Sequence, residues 1–230
     1  MAAVVTLAFA VLARAIRGVS RSGAAAGAVV CFLLYVGAGP GAFFALVTVF
    51  VLAWVTTRLG HGHKVRQGTA QKSNGRTASQ VLANLGIAAV CAVGYRAGGG
   101  PVFRLALAAA LAEAAADTVS SELGQAFSDK ARLITTWETV LAGTDGGVTL
   151  AGTVAGVVAA GVVGAVCAWS QLISWTWAEL VVVAGALGML ADSVLGAWLQ
   201  RRGALNNDGV NLLSTVVAAM AITVFNALIP

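Results

Sequence analysis

The chain has 230 residues, of which 59% are hydrophobic and 10% charged, and its mean hydropathy is +0.88. A soluble globular domain carries about 25% charged residues, so this composition excludes one and calls for a polytopic membrane protein. The net charge of +5 and the pI near 9.6 come from loop arginines and lysines with no aromatic-interleaved basic module, which argues against nucleic-acid binding.

A helical span needs about 20 apolar residues. In chain order the candidate spans are 2–17, 23–38, 40–57, 79–97, 101–118, 148–169, 176–199 and 210–229. The first is short, and the second and third join tightly at Gly37–Gly41. The expected fold is therefore an all-α polytopic transmembrane bundle of seven or eight spans, in a single integral-membrane domain 1–230. The apolar runs are continuous and do not alternate, which disfavours a transmembrane barrel. The 28 glycines suit close helix approach in lipid. Cys31, Cys91 and Cys167 fall in separate spans without metal spacing and read as small packing residues. The N-terminal charges Arg14, Arg17 and Arg21 follow the apolar stretch, the reverse of a signal peptide, and no transit peptide is expected.

Twelve of the 14 lysines and arginines lie on alternate loops. These are Arg14, Arg17 and Arg21; Arg58, Lys64, Arg66, Lys72 and Arg76; Lys130 and Arg132; and Arg201 and Arg202. Arg96 and Arg104 alone lie on the other side. The positive-inside rule then makes the first four loops cytoplasmic, in a multi-pass protein of the cell membrane. Trp169, Trp175 and Trp177 would belt the outer interface, with Trp54 and Trp198 near the inner one.

Two stretches echo each other. Ala116-Asp117-Thr118-Val119 matches Ala191-Asp192-Ser193-Val194, and the ten residues Thr144–Thr153 match Asn206–Thr215, both reading Gly-Val-polar-Leu-x-small-Thr. Both of the latter open a span. The expectation is a parallel internal repeat of the last four spans, 101–169 and 176–229, bringing Asp117 and Asp192 towards a shared centre.

There are nine Asp and Glu in the chain, and Glu113, Asp117, Glu122 and Asp192 lie in or at the ends of spans. Ionisable groups there are costly and point to a functional site. Glu113 and Asp117 are spaced i,i+4 and share a helix face, which is unfavourable unless a proton or a cation intervenes. Sparse carboxylates in a wet cavity suit Mg²⁺, which takes one or two of them plus phosphate oxygens; a proton relay or a salt bridge is the alternative. Gly143-Thr144-Asp145-Gly146-Gly147 is a glycine-rich loop feeding a helix, able to cradle anions but not a Walker A loop. Asn207, Asp208 and Asn211 form the matching amide-rich loop. Arg58 and Arg76 could clamp phosphate oxygens, while His61 and His63 read as a solvated pair. Gln80 and Asn84 enter a span and suggest a second cavity wall.

Five motifs stand in order: Arg76-Thr-Ala-Ser-Gln80-Val-Leu-Ala-Asn84, Ala116-Asp117-Thr-Val-Ser-Ser121-Glu122-Leu-Gly124, Gly143-Thr-Asp-Gly-Gly147-Val-Thr149-Leu-Ala-Gly152-Thr153, Asp192-Ser193-Val-Leu195-Gly196-Ala-Trp-Leu-Gln200 and Asn207-Asp208-Gly-Val210-Asn211. Over residues 57–215 the chain resembles an integral-membrane family that contains the plant phytyl-phosphate kinase of the tocopherol pathway. It departs from the family's pattern in its short N-terminal span and its brief loop from Arg201 to Leu205.

The resemblance implies transfer of a phosphoryl group from a nucleoside triphosphate, CTP, to an isoprenoid monophosphate of phytyl or geranylgeranyl type. It further implies Mg²⁺ held by Asp117, Glu113 and Asp192, with Glu122 either supporting those ligands from behind or on a second ion. Nucleotide phosphates would sit on Gly143, Thr144, Asp145, Gly146, Gly147, Asn207, Asp208 and Asn211, beside Gln80 and Asn84. Arg58 and Arg76 would neutralise charge, and the prenyl tail would lie between spans in contact with the bilayer. Homodimerisation stays open, as does a cytidylyltransferase using the same site. The competing reading is a cation- or proton-coupled transporter.

Overall fold

In a computed structural model, which describes residues 1–71 and 74–229, the chain is a bundle of long helices with a small sheet at one end. The helices are α1 (Ala2–Ala15), α2 (Arg21–Ala38), α3 (Pro40–Arg58), the short α4 (His61–Gln67), α5 (Ala78–Arg96), α6 (Val102–Phe127), α7 (Leu150–Trp169), α8 (Trp175–Leu195) and α9 (Asn207–Leu228). The all-α membrane bundle read from the sequence is present. Among the described residues, six helices (α2, α3, α5, α7, α8 and α9) are long and apolar enough to cross a membrane. That differs from the expected seven or eight. At 14 residues α1 rises about 21 Å against roughly 30 Å of hydrocarbon, and α6 has the length but carries charged side chains.

Helix α6 is the pillar of the bundle. Leu105 through Ala116 are buried without a break, and α3, α5, α7, α8 and α9 all pack against it. A helix that is apolar all round must be enclosed on every side, and a run of alanines lets its neighbours come close. On α7 the small-xxx-small pair Gly152 and Gly156 makes this visible. A Cβ on Gly152 would meet the Ser120 carbonyl oxygen at 2.5 Å, and one on Gly156 the Ala116 carbonyl oxygen at 2.8 Å. Outward-facing side chains such as Val29, Val90, Val158 and Met220 are exposed and apolar, as a lipid-facing surface requires. Cys31, Cys91 and Cys167 are buried free thiols, in line with a packing role.

Two stretches differ from expectation. Residues 119–127, read as loop, continue α6 through Gly124, whose bare backbone packs against Thr149 and Gly152 at the start of α7. Beyond them β1 (Lys130–Leu133), β2 (Thr139–Leu141) and β3 (Gly147–Val148) form an antiparallel sheet in the order β2-β1-β3, with Lys130 opposite Leu141 and Arg132 opposite Val148. The echoed motifs also diverge locally. Gly147 and Val148 form a strand and Thr149 caps α7, whereas Gly209, Val210 and Asn211 already lie inside α9, which Asn206 caps.

The connections between α1 and α2, α3 and α5, α6 and α7, and α8 and α9 meet at one end of the bundle. Val19 bridges to Arg76, Gln67 donates to Asp129 Oδ1 at 3.1 Å, and Gln200 donates to Asp145 Oδ1 at 2.9 Å.

Candidate functional site

At that end two cavities adjoin. One is polar, about 240 Å³, and gathers Arg76, Gln80, Asn84, Asp117, Thr118, Asp192, Asn207 and Asn211 together with the whole loop Gly143–Thr149. The other is apolar, about 300 Å³, and runs between α1, α2, α3 and α5, with Phe9, Leu46, Phe50 and Leu85 among its walls. Gln71, Arg76, Gln80 and Asn84 line both.

Arg76 stands at the junction because its backbone is pinned there. Ser20 N–H donates to the Arg76 carbonyl at 2.9 Å and Arg76 N–H donates to the Gly18 carbonyl at 3.2 Å. A Cβ on Gly23 would strike that same Arg76 carbonyl oxygen, so glycine is required for the approach. The guanidinium reaches Thr118 Oγ1 at 3.4 Å and faces the carboxylates of Asp117 and Glu122. Burial pulls Arg76 below its ordinary pKa, opposed by Glu122 and Asp117. A guanidinium held in this way stays a cation with free donors for a ligand anion.

Asp117 on α6 and Asp192 on α8 come within mutual hydrogen-bonding reach, the convergence expected of them. Asn211 ties this pair to α5. With its amide oriented to satisfy its neighbours, its nitrogen donates to Asp192 Oδ2 at 3.2 Å and its oxygen accepts from Asn84 Nδ2 at 3.0 Å. Asn84 in turn donates to the Gln80 carbonyl at 2.9 Å. Gln80 serves the fold as well, since its Oε1 accepts from Thr77 N–H at 2.9 Å and completes the capping box of α5. Glu113 lies one turn deeper, 1% exposed, and its Oε1 has no hydrogen-bond partner among the described residues.

The glycine-rich loop is clamped rather than free. Helix α8 ends in a π-helical turn, Gly196–Gln200, of a kind that often marks functional sites. Gln200 on this turn holds Asp145, and Gly146, at φ +76°, lies so close to Ala197 that a Cβ would sit 2.5 Å from the alanine's own. Burial pushes the Asp145 carboxyl above its ordinary pKa, with Arg201 opposing.

Three expected site residues take other roles. Glu122 is engaged by Lys64, a fully buried ammonium that also donates to the carbonyls of Thr56 at 3.0 Å and Thr57 at 2.9 Å. Thr57 Oγ1 donates to the other Glu122 oxygen at 2.8 Å, so this carboxylate, which also lines the polar cavity, already has a protein donor on each oxygen. Arg58 points away from the polar cavity. It stacks on Trp54 at 4.0 Å and donates to the Ile16 carbonyl at 2.8 Å, at the mouth of the apolar groove. Asp208 sits in the first turn of α9, where it complements the helix dipole, and does not line the cavity. Of the histidines, His63 pairs with Asp129 at 3.3 Å and His61 edges the groove. Lys72, counted with the basic run, lies outside the described residues.

Sequence reasoning missed Lys64, which read as one more positive-inside charge, and Gln200, which closed a quoted motif without a role. A polar side chain ending an apolar motif was the available signal for the second; nothing in the sequence marked the first.

Three relatives are each 30% identical to the chain. Protein VTE6, chloroplastic, of Arabidopsis thaliana aligns over 86% of this chain and 62% of its own length. An uncharacterized membrane protein of Methanocaldococcus jannaschii aligns over 89% of this chain and 84% of its own length, and one of Synechocystis over 81% and 74%. The chain thus spans less than two thirds of the Arabidopsis protein. No solved structure matches. Residues 4–219 match the family described as integral membrane protein DUF92, and the chain belongs to that family.

Proposed function

We propose that this protein is a membrane-embedded isoprenoid monophosphate kinase, moving the terminal phosphoryl group of a nucleoside triphosphate, CTP, onto a phytyl- or geranylgeranyl-type monophosphate. The observation that carries the reading is the junction at Arg76 of a polar cavity and an apolar groove, the two halves of an amphiphilic phosphate ester. The family resemblance carried by the five motifs supports the same substrate class.

Phosphoryl transfer needs positioning and charge neutralisation more than covalent chemistry by the protein. The attacking oxygen belongs to a phosphate monoester whose second pKa is about 6, so it is ionised near neutrality and needs no strong general base. That oxygen bonds to the terminal phosphorus of the nucleotide, the bridging bond breaks, and the nucleoside diphosphate leaves. Arg76 would hold the acceptor phosphate at the junction. Gly143–Gly147 and Asn207 would receive the nucleotide phosphates, with Gln200 holding the loop in place.

The donor set suits Mg²⁺, with hard carboxylate oxygens from Asp117 and Asp192 side by side and Glu113 behind them. Among the described residues no group of three or more His, Cys, Asp or Glu side chains is placed to hold a metal ion, so an ion here would have to draw much of its shell from water and phosphate. Bound there, it would neutralise and align phosphate oxygens. The reading requires the motif-bearing end to face the cytoplasm, where nucleotide is available.

The test is incubation of detergent-purified protein with Mg²⁺, γ-labelled CTP or ATP, and phytyl or geranylgeranyl monophosphate, followed by thin-layer separation of the lipids. Label in a prenyl diphosphate is expected. Folded protein that labels no lipid with any nucleotide or chain length would overturn the reading. A proton- or cation-coupled transporter is the second reading, favoured by the buried, unpartnered oxygen of Glu113; liposome flux assays address it.

A further inference from the structure

We propose that the apolar groove is a chain-length gauge for the prenyl tail, with Gly27 on α2 as its adjustable wall and Phe9 on α1 as its floor. The proposal rests on the substrate class argued above.

The groove has a definite depth. Its lining on α3 runs from Arg58 at the mouth through Trp54 and Phe50 to Leu46, a helical rise of about 18 Å, or roughly four isoprene units laid end to end. Its inner end is closed. Leu46 and Ala114 are 3% and 1% exposed, and the Phe9 ring packs edge-on against Phe43 and Phe50, with centroids 5.8 and 5.2 Å away. A tail entering beside Arg76 therefore meets an aromatic ring at the depth of Leu46. The groove also differs in chemistry from the polar cavity it joins, since beyond Asn84 its inner walls are hydrocarbon.

The two glycines of α2 that line the groove have opposite reasons for being glycine. At Gly23 a side chain would collide with the Arg76 backbone, so the fold itself demands the residue. At Gly27 a Cβ would meet nothing within 4 Å, and φ is not left-handed. Neither packing nor backbone conformation calls for glycine at 27, and glycine in a helix interior is unfavourable relative to alanine. The space beside it is open groove. A Cβ there would take volume from a bound tail without displacing protein.

The measurement is kcat/KM for geranyl, farnesyl, geranylgeranyl and a longer prenyl monophosphate in the wild type, Gly27→Ala, Gly27→Leu and Phe9→Ala. The geranylgeranyl-to-geranyl ratio should fall from the wild type to Gly27→Ala and again to Gly27→Leu. The drop should reach about a hundredfold in the leucine variant, the scale on which a filled hydrophobic pocket discriminates. Phe9→Ala should raise turnover of the longer chain relative to geranylgeranyl. Val29→Leu, which like Gly27→Ala adds one carbon but on the exposed side of α2, serves as the control and should leave the ratios unmoved.

A wild type that is active, with chain-length ratios unchanged in both Gly27 variants, would overturn the gauge and leave the kinase standing. A wild type inactive on every chain overturns the kinase, and the gauge is then read from thermal stabilisation by the same monophosphates. Selective loss of geranylgeranyl stabilisation in Gly27→Leu supports it, and equal stabilisation in wild type and variant defeats it.

Discussion

The polar cavity and the apolar groove touch at Arg76, yet they are assembled in different ways. The cavity draws side chains from α5, α6, α8 and α9 and from a loop more than twenty residues beyond Asp117, tied together by long-range hydrogen bonds at Arg76, Asn211 and Gln200. The groove is made almost wholly by α1, α2, α3 and α5 through the shapes of their apolar faces. Polar groups must be individually satisfied when they leave water, so the cavity is over-determined and intolerant. Apolar contacts are non-directional, so the groove can change in depth without collapse.

The separation is broken most severely at the carboxylates. Asp117→Asn or Asp192→Asn should lower turnover by about a thousandfold or more while the protein stays folded and monodisperse in detergent. Full activity in both variants would remove the assignment of Mg²⁺ to this pair. Arg76→Gln should cost about a hundredfold in kcat/KM on every chain length alike, whereas Arg58→Gln, at the groove mouth, should cost only a few-fold. Reversal of that order would move the phosphate away from the junction.

Lys64→Met tests whether the neighbouring ion pair is structural. Leaving Glu122 without its buried partner should destabilise the protein by about 3 to 5 kcal/mol, seen as a lower melting temperature in detergent. Lys64→Met combined with Glu122→Leu should recover much of it, since an apolar pair of similar volume replaces a buried ionic one at little net cost. The smallest effect is expected at Gln200→Ala, which frees Asp145 and the glycine loop. Nucleotide KM should rise about tenfold with kcat little changed; a kcat loss of the same size would assign Gln200 to the chemistry.

Much of this was legible in the residues. Asp117, Asp192, Asn211, Asn84, Arg76 and the Gly143–Gly147 loop meet as their motifs imply, because a carboxylate or amide in an apolar span has few places to go except towards another polar group. Lys64 was not legible, since its charge looks like any other loop lysine until the start of α4 turns it back under α3. The Gly147–Val148 and Gly209–Val210 echo misled at the level of local structure, as one sequence pattern serves a strand and a helix according to what packs beside it.

The amino-acid sequence by itself determined the membrane class, the approximate spans and the polar residues that cannot face lipid. These follow from hydropathy and from the cost of burying charge, which are properties of each residue and its near neighbours. Tertiary structure decided which carboxylate is paired with a lysine and which line the cavity without one. It also decided that Arg58 guards one cavity while Arg76 joins two, and that one groove glycine is compulsory and the other open. Those outcomes depend on distances between segments far apart in the chain, which packing around α6 settles and no local pattern encodes.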